Sequence, residues 1–519
     1  MSFVWFGTGL PVHTLYKQLC ARGVRVGKRW AVHSATALVA AVCVCGQAWA
    51  ARDDVRLGLT LEPPSLDPTT VAAAAVGEMT YANVLEGLTV LDAEGRIAPR
   101  LATAWTLSAD RKQLEFTLRS GVRFHDSRSF NAEVAAWAVG RMIAADSQNP
   151  QKKWFERVQS AQVFSPTRLR LNLKAPDPFL PFALALPAAV MLHPASVATA
   201  DQHPVGTGPF RFARWDKGTR VVLERNTAYW GKQPALARAE FVFVGGRTEG
   251  EALVAEGAVD GLIGVTDRVQ PFQGRPDIQV LRRQIEQKVL LAINNARPPF
   301  NDLRVRRALS HGIRRDAFRV FYGEDLQPVF IGSHFSPNHQ AYVDLVQRYP
   351  YDPVQARALL KAAGVKPGTK VPLVAPPTRY GRIGSVSVAE DLENLGFQVD
   401  IVNVSWSDWL SQVFTRKDYA LSLIAHVEPM DLNIYARDDY YFNYSNAEFK
   451  KTWEHVMDAP NEPELMRGLE QAQRRIAEDA VNVFLFMVPQ IYVTNRKLQG
   501  LWVNTPVPAT VLEDVRWLP

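Results

Sequence analysis

All three cysteines, Cys20, Cys43 and Cys45, fall within the first 45 residues of the 519. Their placement constrains the fold more than any other feature of the chain. Residues 1–50 carry a basic stretch ending GKRW, the apolar run ALVAAVCVCG and the small residues AWA at Ala48 to Ala50. That order is the pattern of a cleavable secretory signal with cleavage before Ala51. The apolar run falls well short of the roughly 20 residues a membrane-spanning helix requires. Everything after the leader is cysteine-free, which removes disulfides, a thiol nucleophile and thiolate metal sites together. An exported chain of this size without such staples must hold itself together with a large apolar core. A composition of 47% hydrophobic and 21% charged residues can supply one across two or three domains.

The formal net charge of +7 is misleading. Lys17, Arg22, Arg25, Lys28 and Arg29 lie in the leader, which has no acid; setting those five aside leaves 54 basic against 52 acidic side chains. Such a balance gives no field for nucleic acid.

Beyond residue 100, period-two alternation marks half-buried strands. Leu114, Phe116 and Leu118 share one face, as do Leu169, Leu171 and Leu173. The stretch from Phe210 to Leu223 reads as a hairpin turning at Asp216 to Gly218, entered through Gly206 and Gly208, which permit a tight backbone path. Helical patterns punctuate the strands. One opens on Asp352 and Pro353 and closes at Gly364; another opens on Asp302 with a strongly basic outer face; a third aligns Leu465, Leu469, Ala472 and Ile476. Two apolar runs, Val289 to Asn294 and Val481 to Asn495, suit buried strands. The mixture predicts an α/β or α+β architecture of more than one domain.

Chemical motifs are sparse. No nucleophile elbow, zinc-protease helix or phosphate loop is present. His334 and His339 lie five apart in a Pro- and Ser-containing stretch, and their spacing reads as turn or surface histidines rather than a ligand pair. His426 directly follows an apolar strand, and ligands commonly bind at strand ends in such sheets. It lies in AHVEPMDLNIYARDDYYFNY, Ala425 to Tyr444, with four carboxylates, one arginine and five aromatic rings. Three readings of that segment compete: a metal cage, an acid and base pair at Glu428 and Asp431, or the wall of a binding cleft.

Several stretches are then recognisable together: SLDP at Ser65 to Pro68, NVLEGL at Asn83 to Leu88, Pro99 to Asp126, Pro204 to Gly231, Asn294 to Asp316, and YDPVQARALLKAAG from Tyr351. In this order they resemble the extracytoplasmic solute-binding proteins of peptide and nickel ABC importers. The resemblance implies a two-lobed periplasmic binding protein with an extra subdomain: 51–80, 204–287 and 489–519 as the first lobe, 81–203 as the subdomain, and 288–488 as the second lobe. It implies no catalyst and no resident cofactor. It implies instead a monomer that closes on a small peptide or peptide-like solute and presents it to an ABC permease in the inner membrane. In that family the segment after the strand ending near Ala425 enters the cleft. Here His426 stands where peptide binders carry a ring, and the Asp expected before the acid–Pro pair is absent. The resemblance therefore points to Glu428 or Asp431 for a cationic group, and to Arg437 for a carboxylate. It adds Tyr435 and Trp406 as aromatic surfaces and Ala75 and Val76 as small residues allowing close approach. The alternatives are a nickel chelate or haem held through His426, or a secreted hydrolase using Glu428 and Asp431.

Overall fold

The structure is a computed structural model describing residues 52–519 apart from 72, 266–269 and 323–325; the leader, 1–50, lies outside the described residues. Three sheets organise the rest. An eight-stranded mixed sheet runs in the order Asn504–Thr505, Ile278–Ile285, Gln490–Asn495, Gly261–Val265, Asp54–Leu59, Arg238–Phe243, Arg220–Arg225 and Phe210–Asp216. A six-stranded mixed sheet runs Val329–Phe330, Val483–Met487, Lys288–Ile293, Leu421–His426, Thr369–Ala375 and Phe397–Asn403. The third, antiparallel throughout, joins Ala102–Leu107, Gln113–Leu118, Arg168–Leu173 and Val158–Ser165.

The chain passes between the two large sheets in a way the apolar runs foreshadow. Ile278–Ile285 in the first continues into Lys288–Ile293 in the second after two residues, and Val483–Met487 returns to Gln490–Asn495 equally abruptly. The two crossings touch: Val488 N donates to Gln287 O at 2.9 Å. Every residue of Lys288–Ile293 is buried, as expected for a strand covered on both faces.

Local expectations hold where the physics is local. Leu114, Phe116 and Leu118 are buried, as are Leu169, Leu171 and Leu173, and they form one core with Phe155 and Ala135. The hairpin is present, Trp215 pairing with Val221 and Phe212 with Leu223. The glycines before it serve close approach: a Cβ on Gly206 would lie 1.8 Å from Val84 O, and one on Gly208 2.4 Å from Asn83 O. Asp302 and Asp352 cap their helices by accepting from Arg304 N and from Val354 N and Gln355 N.

The strongly basic outer face expected of the helix Leu303–Gly312 holds only in part: Arg304 is exposed, while Arg306 is buried. Arg306 turns inward, its Nε and Nη2 donating to Asp479 O at 3.1 and 3.0 Å and Nη1 to Phe300 O at 3.0 Å. Arg307 likewise reaches Glu478 O. The helix Glu462–Glu478 ends there, and its last carbonyls need donors that its own turn cannot provide. Guanidinium groups with five N–H each supply them.

Candidate functional site

A cavity of about 430 Å³ opens where the four-stranded unit, the crossing strands and the six-stranded unit meet. Trp105, Phe182, Leu465 and Met466 give it an apolar middle. Arg96, Arg111, Glu94 and Glu286 bring both signs of charge to its wall. Two contacts draw its sides together. Arg111 Nη1 donates to Asp458 O at 2.7 Å and Ala459 O at 2.6 Å, and Phe179 stacks on Trp453 with ring centroids 5.6 Å apart and planes 5° from parallel.

Behind the cavity wall, at the end of the strand Leu421–His426, lies a buried polar cluster. Register places Lys288 opposite His426 on one side and Met487 on the other. The Lys288 ammonium is fully enclosed; it donates to Glu428 O at 2.6 Å and lies 3.4 Å from Glu286 Oε2 and 3.8 Å from Asp431 Oδ1. Asp431 starts the helical turn Asp431–Ala436, after Met430 in the left-handed conformation. Its Oδ1 faces His334 Nε2 at 2.9 Å, and its Oδ2 lies 3.4 Å from His426 Nδ1. The outer nitrogens of both imidazoles rest on tyrosines: His334 Nδ1 on Tyr435 OH at 2.8 Å, His426 Nε2 on Tyr441 OH at 2.9 Å. Glu286 also takes a short hydrogen bond from Ser336 Oγ, and so connects the cluster to the cavity wall it lines.

Burial and charge set the protonation states. Burial pushes the His334 imidazole down to about 4, against the opposing pull of Asp431, so it is neutral near pH 7. Burial also pushes His339 down to about 4; that ring lines the cavity, with Nε2 2.6 Å from Met430 Sδ. Burial alone would raise the Asp431 carboxyl, but His334 and Lys288 hold it well below the usual carboxylate range. A carboxyl so held is an anion at neutral pH and a poor general acid.

The structure brings three of the sequence-derived site residues, His426, Asp431 and Tyr435, into this one cluster, all buried. Glu428 is exposed, with Oε2 accepting from Val427 N at 3.2 Å, while its neighbours Pro429 and Met430 line the cavity. Arg437 is engaged by Asp439 through two contacts of 2.9 Å. Trp406 is 43% exposed and packs edge-on against the buried Trp409. Ala75 and Val76 are buried in the short helix Ala74–Thr80, where the Val76 carbonyl accepts from Thr80 Oγ1.

Sequence reasoning missed His334, Lys288 and Glu286. The surface reading of His334 is corrected, since it is fully buried; His339 is half-buried on the cavity wall, and both lie in the turn-rich stretch expected. Spacing to His339 could not reveal a partner 92 positions away at His426. The available signal was Lys288 at the mouth of a wholly apolar strand, where an unpaired charge is costly and so implies partners.

Two open α/β sheets joined by two crossing strands, with a cavity where they meet the third sheet, define a two-lobed solute-binding protein. The chain belongs to the bacterial extracellular solute-binding proteins, family 5, whose model it matches over residues 96–453. A glutathione-binding protein of Pectobacterium atrosepticum is 25% identical over 511 residues, spanning 92% of this chain and 96% of its own length. Di/tripeptide-binding protein 2 of Pseudomonas aeruginosa is 28% identical over 351 residues, 61% of this chain and 65% of its own. In fold, the chain is similar to a dipeptide-binding protein from Pseudoalteromonas solved with Met-Leu, at a TM-score of 0.76 and 21% identity, covering 90% of this chain and 100% of that one. NikZ of Campylobacter jejuni, solved with Ni(L-His), matches at 0.73 and 19% identity, covering 88% and 96%. These relatives are binding proteins, as the resemblance implied. Among the described residues no helix is long and apolar enough to cross a membrane.

Proposed function

We propose that this protein is exported by its N-terminal signal to the periplasm, captures a peptide or peptide-like solute, and delivers it to an ABC permease in the inner membrane. The supporting observation is the cavity: an apolar middle flanked by arginines and carboxylates suits a small zwitterionic ligand with apolar side chains. Relatives named for glutathione, dipeptides and di/tripeptides favour the same class. In this reading 51–80, 204–287 and 489–519 form one lobe, 81–203 the extra subdomain and 288–488 the other lobe. The two short crossings act as the hinge, and the solute shifts the balance toward closure because only the closed form surrounds it. No catalysis is required.

The test is gentle purification, denaturing release and mass spectrometry of what is freed, followed by melting in the presence of a panel of di-, tri- and oligopeptides. Recovery of a peptide-like molecule, or a rise in melting temperature that grows with ligand concentration, is expected. No released small molecule and no shift across the panel would sink the reading. A metal-chelate or haem cargo is the second reading, favoured by the imidazole of His339 and the thioether of Met430 side by side on the cavity wall. It requires co-purifying metal or Soret absorbance instead.

A further inference from the structure

We propose that His334, His426 and Asp431 form a binding site for one divalent transition-metal ion inside the wall of the six-stranded unit, independent of the solute that occupies the cavity. One ligand atom from each of the three residues can be chosen so that all lie within 4.8 Å of one another, and all three residues are buried. Ligands about 2.1 Å from one ion in a tetrahedral or trigonal arrangement lie roughly 3.5 Å apart, so the widest of these separations must close by up to about 1 Å when an ion enters. Two imidazole nitrogens with one carboxylate oxygen are a donor set suited to zinc, nickel or cobalt.

Two further observations point to an ion rather than to a closed polar knot. First, His334 Nε2 and Asp431 Oδ1 are enclosed and face each other at 2.9 Å, yet neither makes an aligned hydrogen bond. Buried polar atoms are rarely left so, because stripping them of water without supplying a partner is costly. Second, each imidazole is held from behind by a tyrosine hydroxyl, Tyr435 on His334 and Tyr441 on His426, so the nitrogen facing the centre is fixed by the one facing out. Asn482 Nδ2 in turn donates to Tyr435 OH at 3.2 Å. Supports of this kind orient metal ligands before the ion arrives.

Lys288 is the natural competitor. Its ammonium sits on Glu428 O and beside Glu286, and it is farther from Asp431 Oδ1 than either. Formally, one lysine against the two carboxylates of Glu286 and Asp431 leaves a net charge of −1 to meet a cation.

The experiment uses the mature chain without a polyhistidine tag, stripped with chelator and titrated with Zn²⁺ and with Co²⁺ by calorimetry and visible absorption. Binding of one ion per chain is expected, with cobalt bands of a low-coordinate nitrogen and oxygen site. Asp431→Asn and His426→Gln should each weaken binding by more than tenfold, and Tyr441→Phe by roughly tenfold. His455→Gln, which removes an exposed histidine, should leave it unchanged. If Asp431→Asn does not fold, the wild-type cobalt spectrum and Tyr441→Phe decide. No binding above the buffer, or binding that these variants leave intact and so reflects an adventitious ion only, would overturn the proposal. The peptide panel reads the cavity, and its result does not depend on this one.

Discussion

Two carboxylates are buried in this molecule in opposite ways. Glu86, near the first large sheet, is 1% exposed and saturated: Arg100 Nε donates to Oε1 at 2.5 Å and Tyr229 OH at 3.0 Å, while Thr207 Oγ1 and Trp230 Nε1 donate to Oε2 at 2.6 and 3.0 Å. Asp431, behind the cavity, is 6% exposed and undersupplied, with Oδ1 facing His334 Nε2 at 2.9 Å outside hydrogen-bond alignment. Four donors from three separate chain segments make the first a rivet. The second sits among two imidazoles and one ammonium that is better anchored elsewhere, and so it can still accept a partner. Equal burial thus says little about role; the count of satisfied lone pairs says more.

The largest effect should come from removing the rivet. Glu86→Ala strands the Arg100 cation against Tyr229 and Trp230, leaving Glu513 at 2.9 Å as its remaining carboxylate. Breaking a buried pair from one side costs about 3–5 kcal/mol. Urea unfolding at pH 7.5 should register that loss without altering metal or solute affinity measured well below the transition. A loss under about 1 kcal/mol would break the comparison.

Next comes acid. The folded state holds His334 and His339 near 4, against 6.5 when unfolded. Between those values the unfolded chain binds protons that the folded chain refuses. Stability contributed by these groups is therefore full above about pH 6.5 and falls as the pH drops toward 4. His334, fully buried, accounts for about 3 kcal/mol across that window, and the half-buried His339 for less. Unfolding followed from pH 7.5 to 4.5 should show the decline, and His334→Gln should flatten it; an unchanged slope in that variant would remove His334 from the account.

Asp431→Asn ranks third. The amide is the same size, and Lys288 keeps Glu428 O and Glu286, so about 2 kcal/mol is expected. The same unfolding assay checks it. A cost matching Glu86→Ala would mean that Asp431 is a second rivet after all.

What could be read from the chain follows the same division. Strand faces, the capping residues Asp302 and Asp352, and the crossing strands are legible because their physics lies within a few residues: alternation, a cap, an apolar run. The family segments added the lobed architecture. Three of the buried cluster's members, His426, Asp431 and Tyr435, were singled out because they sit in one dense segment after a strand. Their partners were not, since His334, Lys288 and Glu286 are brought in by the six-stranded sheet and its connections from 92, 138 and 140 positions before His426. The inward turn of Arg306 was hidden for a related reason. Helical spacing places a side chain on a face, but the carbonyls that attract it belong to another helix end. Pairing across the fold is not a property of spacing.

The smallest expected effect carries the comparison from the interior to the cavity. Arg111 sits in a turn between two strands of the small sheet, with φ of 55°, and its side chain spans to the carbonyls of Asp458 and Ala459. Unlike Glu86, these oxygens border solvent when the cavity opens and can be served by water, so losing the guanidinium strands nothing. Arg111→Ala should therefore leave unfolding stability nearly unchanged while favouring the open form. About 1 kcal/mol of lost closure corresponds to roughly fivefold weaker solute binding. Small-angle scattering of the ligand-free protein should give a slightly larger radius of gyration, and Trp453→Ala, which removes the stack on Phe179, should act in the same direction. If Arg111→Ala binds solute as the parent does and scatters identically, this contact is a passive touch between surfaces. Closure must then be driven by the solute alone.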